Sequence, residues 1–307
     1  MDRTARTRLV TSICCLILAI SLSDAGAATT ASPDSVAVEQ RGGSLIVLEQ
    51  ATATWCETCA EHEQWLPTFD AANEARVQRV ALHPVENDPL GNPASTLRLA
   101  AAGADQKGFV PIYHFDGVAE RLTSQNARDM QSSLLTAEAA RATFEAIEVT
   151  AEYTPERIHL DLRIAAPTAI ENTTITLLIL ERIGHLDPVL AENGVIDHPF
   201  LLSSLVQIPL DGSAPLSLPN SNLSSNITSD STISANISID SFADPASHII
   251  VVMHEYSEMP AGEPRTLSAL RLSFSSSPAH DASSMTPWLT LLLAGGVVTL
   301  VAARIRR

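Results

Sequence analysis

Residues 44–66 read SLIVLEQATATWCETCAEHEQWL, and the order of events along this stretch sets the reading of the whole chain. SLIVLEQATAT (44–54) is a short leucine-rich, partly β-branched run of the kind that forms a buried strand. It leads directly into Trp55-Cys56-Glu57-Thr58-Cys59. A helical pattern follows over 59–75, with Trp65, Leu66, Phe69 and Ala72 on one face and Pro67 placed to kink the helix or delay its start. Two cysteines delivered by a strand to the start of a helix have three readings. They are a redox centre, half of a metal site, or a disulfide that staples a loop.

The ends of the chain bear on that choice through the compartment they imply. Residues 1–28 read as a secretory signal: Arg3, Arg6 and Arg8 precede the apolar run Leu9–Leu22, and Ala25-Gly26-Ala27 supplies small residues for cleavage. Cleavage removes Cys14 and Cys15 and leaves Cys56 and Cys59 as the mature chain's cysteines. A second apolar run, Trp288–Ala303, falls in residues 287–303, which are expected to form a transmembrane helix. Helical residues in that number rise about 24 Å, a little under the ~30 Å hydrocarbon core. Snorkelling by Arg304, Arg306 and Arg307 closes the gap and places the basic tail 304–307 in the cytoplasm. The expected localisation is the plasma membrane, single-pass, with the ectodomain outside the cytoplasm and residues 276–286 as a flexible tether.

A formal net charge of −16 argues against a nucleic-acid partner, whose phosphates would be repelled. No cofactor is expected. Sequons at Asn172, Asn222, Asn226 and Asn236 are open to glycosylation in a host that carries it out.

The rest of 44–147 alternates strands and helices. RVQRVALHP (76–84) reads as a strand, 84–93 as a loop, 94–103 as a helix, and GFVPIYHFDG (108–117) as a strand ending in a turn. Asp116-Gly117 is a hairpin signal with VAERLTS as the returning strand, and 125–146 reads as a helix. That is an α/β layout around one small sheet. From Glu148 the period changes to two. In RIHLDLRI, Ile158, Leu160, Leu162 and Ile164 face one way, and STISANISID repeats the alternation. With TITLLILERI, PFLLSSLVQI, HIIVVMHEY and LSALRLSF, residues 148–275 read as an antiparallel, immunoglobulin-like sandwich without cysteines.

On Trp55-Cys56-x-x-Cys59 after a buried strand, and Val110-Pro111 opening a later one, residues 44–147 resemble a thioredoxin-superfamily domain. The expected fold class is therefore an α/β thioredoxin-like domain plus an all-β immunoglobulin-like sandwich, with a C-terminal transmembrane helix. The resemblance implies that Cys56 stands exposed at a helix N-terminus and attacks, that the more buried Cys59 resolves, and that the two form a disulfide when oxidised. It also implies a cis Pro111 facing the pair, with Trp55 and Pro111 shaping the substrate groove.

The chemistry has its own physical basis. The thiolate is the nucleophile, a helix N-terminus favours it, and two intervening residues set the second sulfur one turn away. Two residues depart from the resemblance. Gln50 stands where relatives carry a buried acid, and strand alternation turns the neighbouring Glu49 to the opposite face. Glu57, beside Cys56, opposes the thiolate. Glu49 and Glu57 are thus the candidate redox-tuning residues, and a reducing or moderate potential is expected.

The function expected is thiol–disulfide exchange on protein thiols and disulfides, served by a membrane redox partner. One alternative is a cell-surface binding or scaffold protein with a non-catalytic head. Another is a copper- or zinc-handling chaperone using the two thiols and a histidine, His62 first, with His83 and His114 in the same region. The loop 183–200 collects His185, Asp187, Glu192, Asp197 and His198 but is not expected to hold a metal.

Overall fold

The computed structural model describes residues 36–102, 110–120, 126–141, 143–219, 222–229, 231–257 and 265–274. The expected signal peptide (1–28), tether (276–286), membrane helix (287–303) and basic tail (304–307) lie outside the described residues.

The described chain runs β1 (Val36–Gly42), β2 (Ile46–Ala51), α1 (Glu57–Glu63), α2 (Leu66–Ala72), β3 (Val77–Leu82), α3 (Pro93–Ala101), β4 (Ile112–Phe115), β5 (Val118–Glu120) and α4 (Ala127–Ala140). It continues through β6 (Ile147–Tyr153), β7 (Arg157–Ala165), β8 (Thr173–His185), β9 (Asp197–Pro209), β10 (Leu216–Leu218), β11 (Ser224–Ser229), β12 (Thr232–Asp240), a 3-10 turn at Pro245–Ser247, β13 (His248–Tyr256) and β14 (Thr266–Ser273).

The strands form two sheets. One holds five antiparallel strands in the order β1-β6-β7-β12-β11. The other holds nine, in the order β14-β13-β8-β9-β3-β2-β4-β5, with β10 paired to β9. This corrects the expected fold class. The strands of 44–147 do not make a sheet of their own inside an α/β thioredoxin-like domain. They extend a larger, mostly antiparallel sheet through the parallel pairing of Ala81 with Leu201. Nor do residues 148–275 make a self-contained immunoglobulin-like sandwich, because β1 joins their five-stranded sheet alongside β6. The molecule is mainly β. Among the described residues no helix is long and apolar enough to cross a membrane.

Strand alternation explains the five-stranded sheet. Along β7 and β12 every second residue is buried, and the register pairs Ile158 with Ile239 and Leu162 with Ala235. Their apolar face packs on Ile175, Leu177, Val206, Ile250 and Leu272 of the other sheet, so the main core lies between the two sheets. The second face of β8, β9 and β13 shares a core with Val47, Val80, Leu82 and α3. The opposite face of β2 and β4 packs against Leu66 and Phe69 of α2 and Met130 and Leu134 of α4. β2 and β3 are covered on both faces, and all six residues of each are buried.

Local signals place the elements that reach the site. Pro67 splits the single helix expected over 59–75 into α1 and α2, standing in the first turn of α2 where a missing N–H is harmless. Asn92 caps α3 through Ser95 N–H, and Asn126 caps α4. Gly43 stands where the chain passes from one sheet to the other. Its φ is +146°, and a Cβ there would come within 2.0 Å of the Glu145 carbonyl oxygen.

Candidate functional site

The turn leaving β2 carries Thr52–Cys56 to the start of α1. Cys56 is the N-cap of that helix, with extended backbone, and its Sγ accepts the Cys59 N–H at 3.0 Å. The two cysteines form a disulfide, with Cα atoms 5.2 Å apart. Cys56 Sγ lies 3.7 Å from the Val110 carbonyl oxygen, and Val110 packs on Ala53, Cys56 and Cys59. The Val110–Pro111 peptide is cis. Trp55 is 38% exposed beside the pair.

One expectation needs correction. Cys56 is not an unshielded residue: 6% of its surface reaches solvent, against 1% for Cys59. The first cysteine is the more accessible of the two, but only slightly. The physical reason is that the turn is held from two sides. Asp88, in the loop after β3, accepts the Thr54 N–H at 2.8 Å. Asn193, in the loop between β8 and β9, donates from Nδ2 to the carbonyls of Ala53 (3.2 Å) and Cys56 (3.1 Å), and its N–H reaches the Thr54 carbonyl at 2.9 Å.

Neither Asp88 nor Asn193 was singled out from the sequence. The available signal was turn chemistry, Asn87-Asp88-Pro89 and Asn193-Gly194, which marks a bend and says nothing about what the bend touches. Burial opposes the Asp88 charge, yet His83, Thr54 and Leu90 donate to it and hold the carboxyl below its usual range. His83 Nδ1 lies 3.0 Å from Asp88 Oδ2, and the His198 ring stands edge-on to His83 at 4.9 Å.

Gln50 sits in a buried polar group that includes a carboxylate. The Gln50 amide, fully buried, accepts from Arg79 at 2.7 Å and donates to Glu63 Oε1 at 3.2 Å. Arg79 also bonds Glu63 at 3.0 Å and Asp70 at 2.9 Å. A carboxylate thus arrives from α1, four residues beyond Cys59. Sequence reasoning tied to the strand position could not see it.

Glu49 points the other way, as strand geometry requires. It pairs at 2.6 Å with Arg98 of α3, which bonds Glu255 at 2.7 Å, and Glu255 meets Arg265 at 3.3 Å. The structure places Glu49 in that buried ionic cluster and not with the Gln50 group. Glu57, the first residue of α1, is exposed.

His62 is buried, its Nδ1 2.6 Å from the Tyr113 hydroxyl. His114 is buried in β4. His185 pairs with Asp197 at 2.8 Å on the surface. Among the described residues no group of three or more His, Cys, Asp or Glu side chains is placed to hold a metal ion.

No family model matches the sequence. No curated protein matches it. Solved structures do resemble it. HBP35 of Porphyromonas gingivalis superposes with a TM-score of 0.55 at 14% identity, covering 78% of this chain and 81% of that one. A protein from Agrobacterium tumefaciens superposes with a TM-score of 0.50 at 12% identity, covering 76% and 96%. At such identities the likeness is one of fold alone.

Proposed function

We propose that this protein is an extracytoplasmic thiol–disulfide oxidoreductase that acts on protein clients through Cys56 and Cys59. The observation that carries the reading is the placement of the pair. One sulfur caps a helix and accepts the Cys59 N–H at 3.0 Å, next to the Val110 carbonyl and the exposed Trp55. A donor aimed at that sulfur favours its thiolate. The resemblance to thioredoxin-superfamily proteins enters at this motif, as a proposal about its chemistry.

In the reducing direction the Cys56 thiolate attacks a client disulfide, forms a mixed disulfide and releases one client thiolate. Cys59 then attacks the Cys56 sulfur, restoring the Cys56–Cys59 bond and releasing the second client sulfur. Two electrons have passed to the client, so a dithiol partner must return the pair to its reduced form. In the oxidising direction the same steps run backwards. Secretion, proposed from the sequence of residues 1–28, would place the pair in a compartment where disulfides form and persist.

The small exposure of Cys56 favours a second reading, a surface binding protein whose disulfide only fixes the turn. Reduction of insulin by the full-length protein under excess small dithiol separates the two. The oxidoreductase accelerates reduction, and Cys56→Ser abolishes the acceleration. A wild-type protein no faster than the dithiol alone leaves the binding reading standing.

A further inference from the structure

We infer that His62 is the base that takes the proton from Cys59 in the resolving step. This deepens the thiol-exchange reading above and rests on it. A thiol at 1% exposure is held toward its neutral form by burial, and a neutral thiol does not attack. Cys59 therefore needs an acceptor within reach of α1's inner face.

The neighbouring groups narrow the choice. Gln50 does not titrate. Glu49 is taken up by Arg98 on the other face of β2. Glu63 is engaged by Arg79 and Gln50. Glu57 lies on the exposed side of the helix. His62 stands one turn beyond Cys59, at the spacing that makes helix side chains neighbours, about 5–6 Å between Cβ atoms. Cys59 and His62 are the two buried residues of α1, so they share its inner face.

The imidazole is also fixed in orientation. Its ring stacks on Tyr113 at 5.8 Å and lies 5.2 Å from Trp65, and Nδ1 meets the Tyr113 hydroxyl at 2.6 Å. The other nitrogen, Nε2, is buried and has no hydrogen-bond partner among the described residues.

The charge state suits a base. Burial lowers the His62 pKa below its ordinary 6.5, against the pull of Glu61 and Glu63 on its own helix. Tyr113 of β4 stays protonated, pushed well up by burial although Arg79 of β3 opposes it, with Glu63 of α1 and Asp70 of α2 adding to the rise. His62 is thus neutral at pH 7, and the step uses the tautomer in which Nδ1–H donates to the Tyr113 oxygen and Nε2 keeps a free lone pair. The step balances as follows. Nε2 accepts the Cys59 S–H proton, directly or through one water, and the Cys59 sulfur bonds to Cys56 Sγ. The Cys56–client bond breaks, the client sulfur keeps the electron pair, and the imidazolium returns the proton to it.

The test mixes reduced full-length protein carrying Cys14→Ser and Cys15→Ser, so that Cys56 and Cys59 are its only thiols, with one equivalent of the aromatic disulfide dithionitrobenzoate and follows thionitrobenzoate release. The first phase reports capture by Cys56 and the second reports resolution by Cys59. The wild-type second phase is expected to rise with pH through an inflection below 6.5 and then level off. His62→Gln, which keeps a partner for Tyr113, is expected to slow that phase about a hundred-fold and leave the first unchanged.

A variant that resolves at the wild-type rate overturns the assignment. So does a wild-type second phase that rises only through a thiol inflection at or above roughly 8.5, which decides the matter even if the variant fails to fold. Absence of a fast first phase in the wild-type protein overturns the exchange reading itself, and is told apart because the first phase does not involve His62.

Discussion

Asn193 and Cys56, far apart in the chain, are joined by a 3.1 Å hydrogen bond from the Asn193 amide to the Cys56 carbonyl. Through it, and through the bonds to Ala53 and Thr54, the β8–β9 loop holds the turn that presents the disulfide. The chemistry proposed for the Cys56–Cys59 turn thus depends on the loop between β8 and β9. Asn193→Ala removes three side-chain hydrogen bonds, two to the turn and one from Val195 N–H, and is expected to cost about 1–3 kcal/mol, read from the urea midpoint. The loosened turn should also let a small phosphine reduce Cys56–Cys59 several-fold faster. Unchanged midpoint and unchanged reduction rate would show that the loop does not restrain the turn.

A second dependence is electrostatic. Arg98 stands between Glu49 at 2.6 Å and Glu255 at 2.7 Å, with both carboxylates buried. Burial works against the charge of Glu255, but Arg98 and Arg265 prevail and keep its pKa below the usual range. Arg98→Met leaves Glu255 with Arg265 and removes the cation paired with Glu49. Loss of one partner of a buried pair costs about 3–5 kcal/mol. Chemical denaturation should show a loss of that order, and adding Glu49→Gln to Arg98→Met should recover part of it. A double variant no more stable than Arg98→Met would place the cost elsewhere.

Local pattern made some of the architecture readable in advance. The period-two runs at 157–165 and 232–240 are strands β7 and β12, and Asp116-Gly117 turns β4 into β5. The fold class was not readable, because what decides it is non-local. One parallel pairing, Ala81 with Leu201, merges two groups of strands into one sheet, and β1 crosses to the other sheet to pair with β6. Periodicity marks a segment as a strand, as in β7 and β12, but does not say which distant strand it pairs with. Within the site, the cysteines and Val110-Pro111 carried a local signal. Asn193 and Asp88 carried only the signal of a turn, and nothing in the sequence marked their contacts with Thr54 and Cys56 or the Glu63–Gln50 contact.

Glu57 offers a test of how the surroundings tune the thiol. It is exposed, at the first position of α1, next to Cys56. Its negative charge disfavours the Cys56 thiolate, so Glu57→Gln is expected to lower the Cys56 thiol pKa and make the disulfide the stronger oxidant. An exposed charge acts through solvent, which limits the effect to about 1 kcal/mol or less. For a two-electron couple that is roughly 20 mV. Equilibration of both proteins with glutathione buffers measures the shift, and a more reducing variant would reverse the sign argued here.

Asp116 supplies a pH signature for the fold. It is 1% exposed in the β4–β5 turn, its Oδ1 accepts the Val47 N–H at 3.0 Å, and its Oδ2 lies 3.4 Å from Arg141 Nε. Burial pushes its carboxyl up to about 7, with Glu49 and Glu255 adding to the rise and Arg141 and the Val47 N–H opposing it. An unfolded aspartate titrates near 3.8. Between these two values the folded chain keeps a proton that the unfolded chain has lost, so this group's contribution to stability falls as pH rises through the window. Asp88 and Glu145, whose pKa values are lowered, act in the opposite sense and lose stability as pH falls. His114 and His198, lowered by burial, likewise lose stability as pH falls below 6.5. Asp116→Asn keeps an acceptor for Val47 and carries no titration. The wild-type protein should therefore lose stability relative to Asp116→Asn as pH rises from about 4 to about 7, by urea unfolding at several values across that range. Parallel curves for the two proteins would mean that Asp116 is already ionised in the folded state at the acid end.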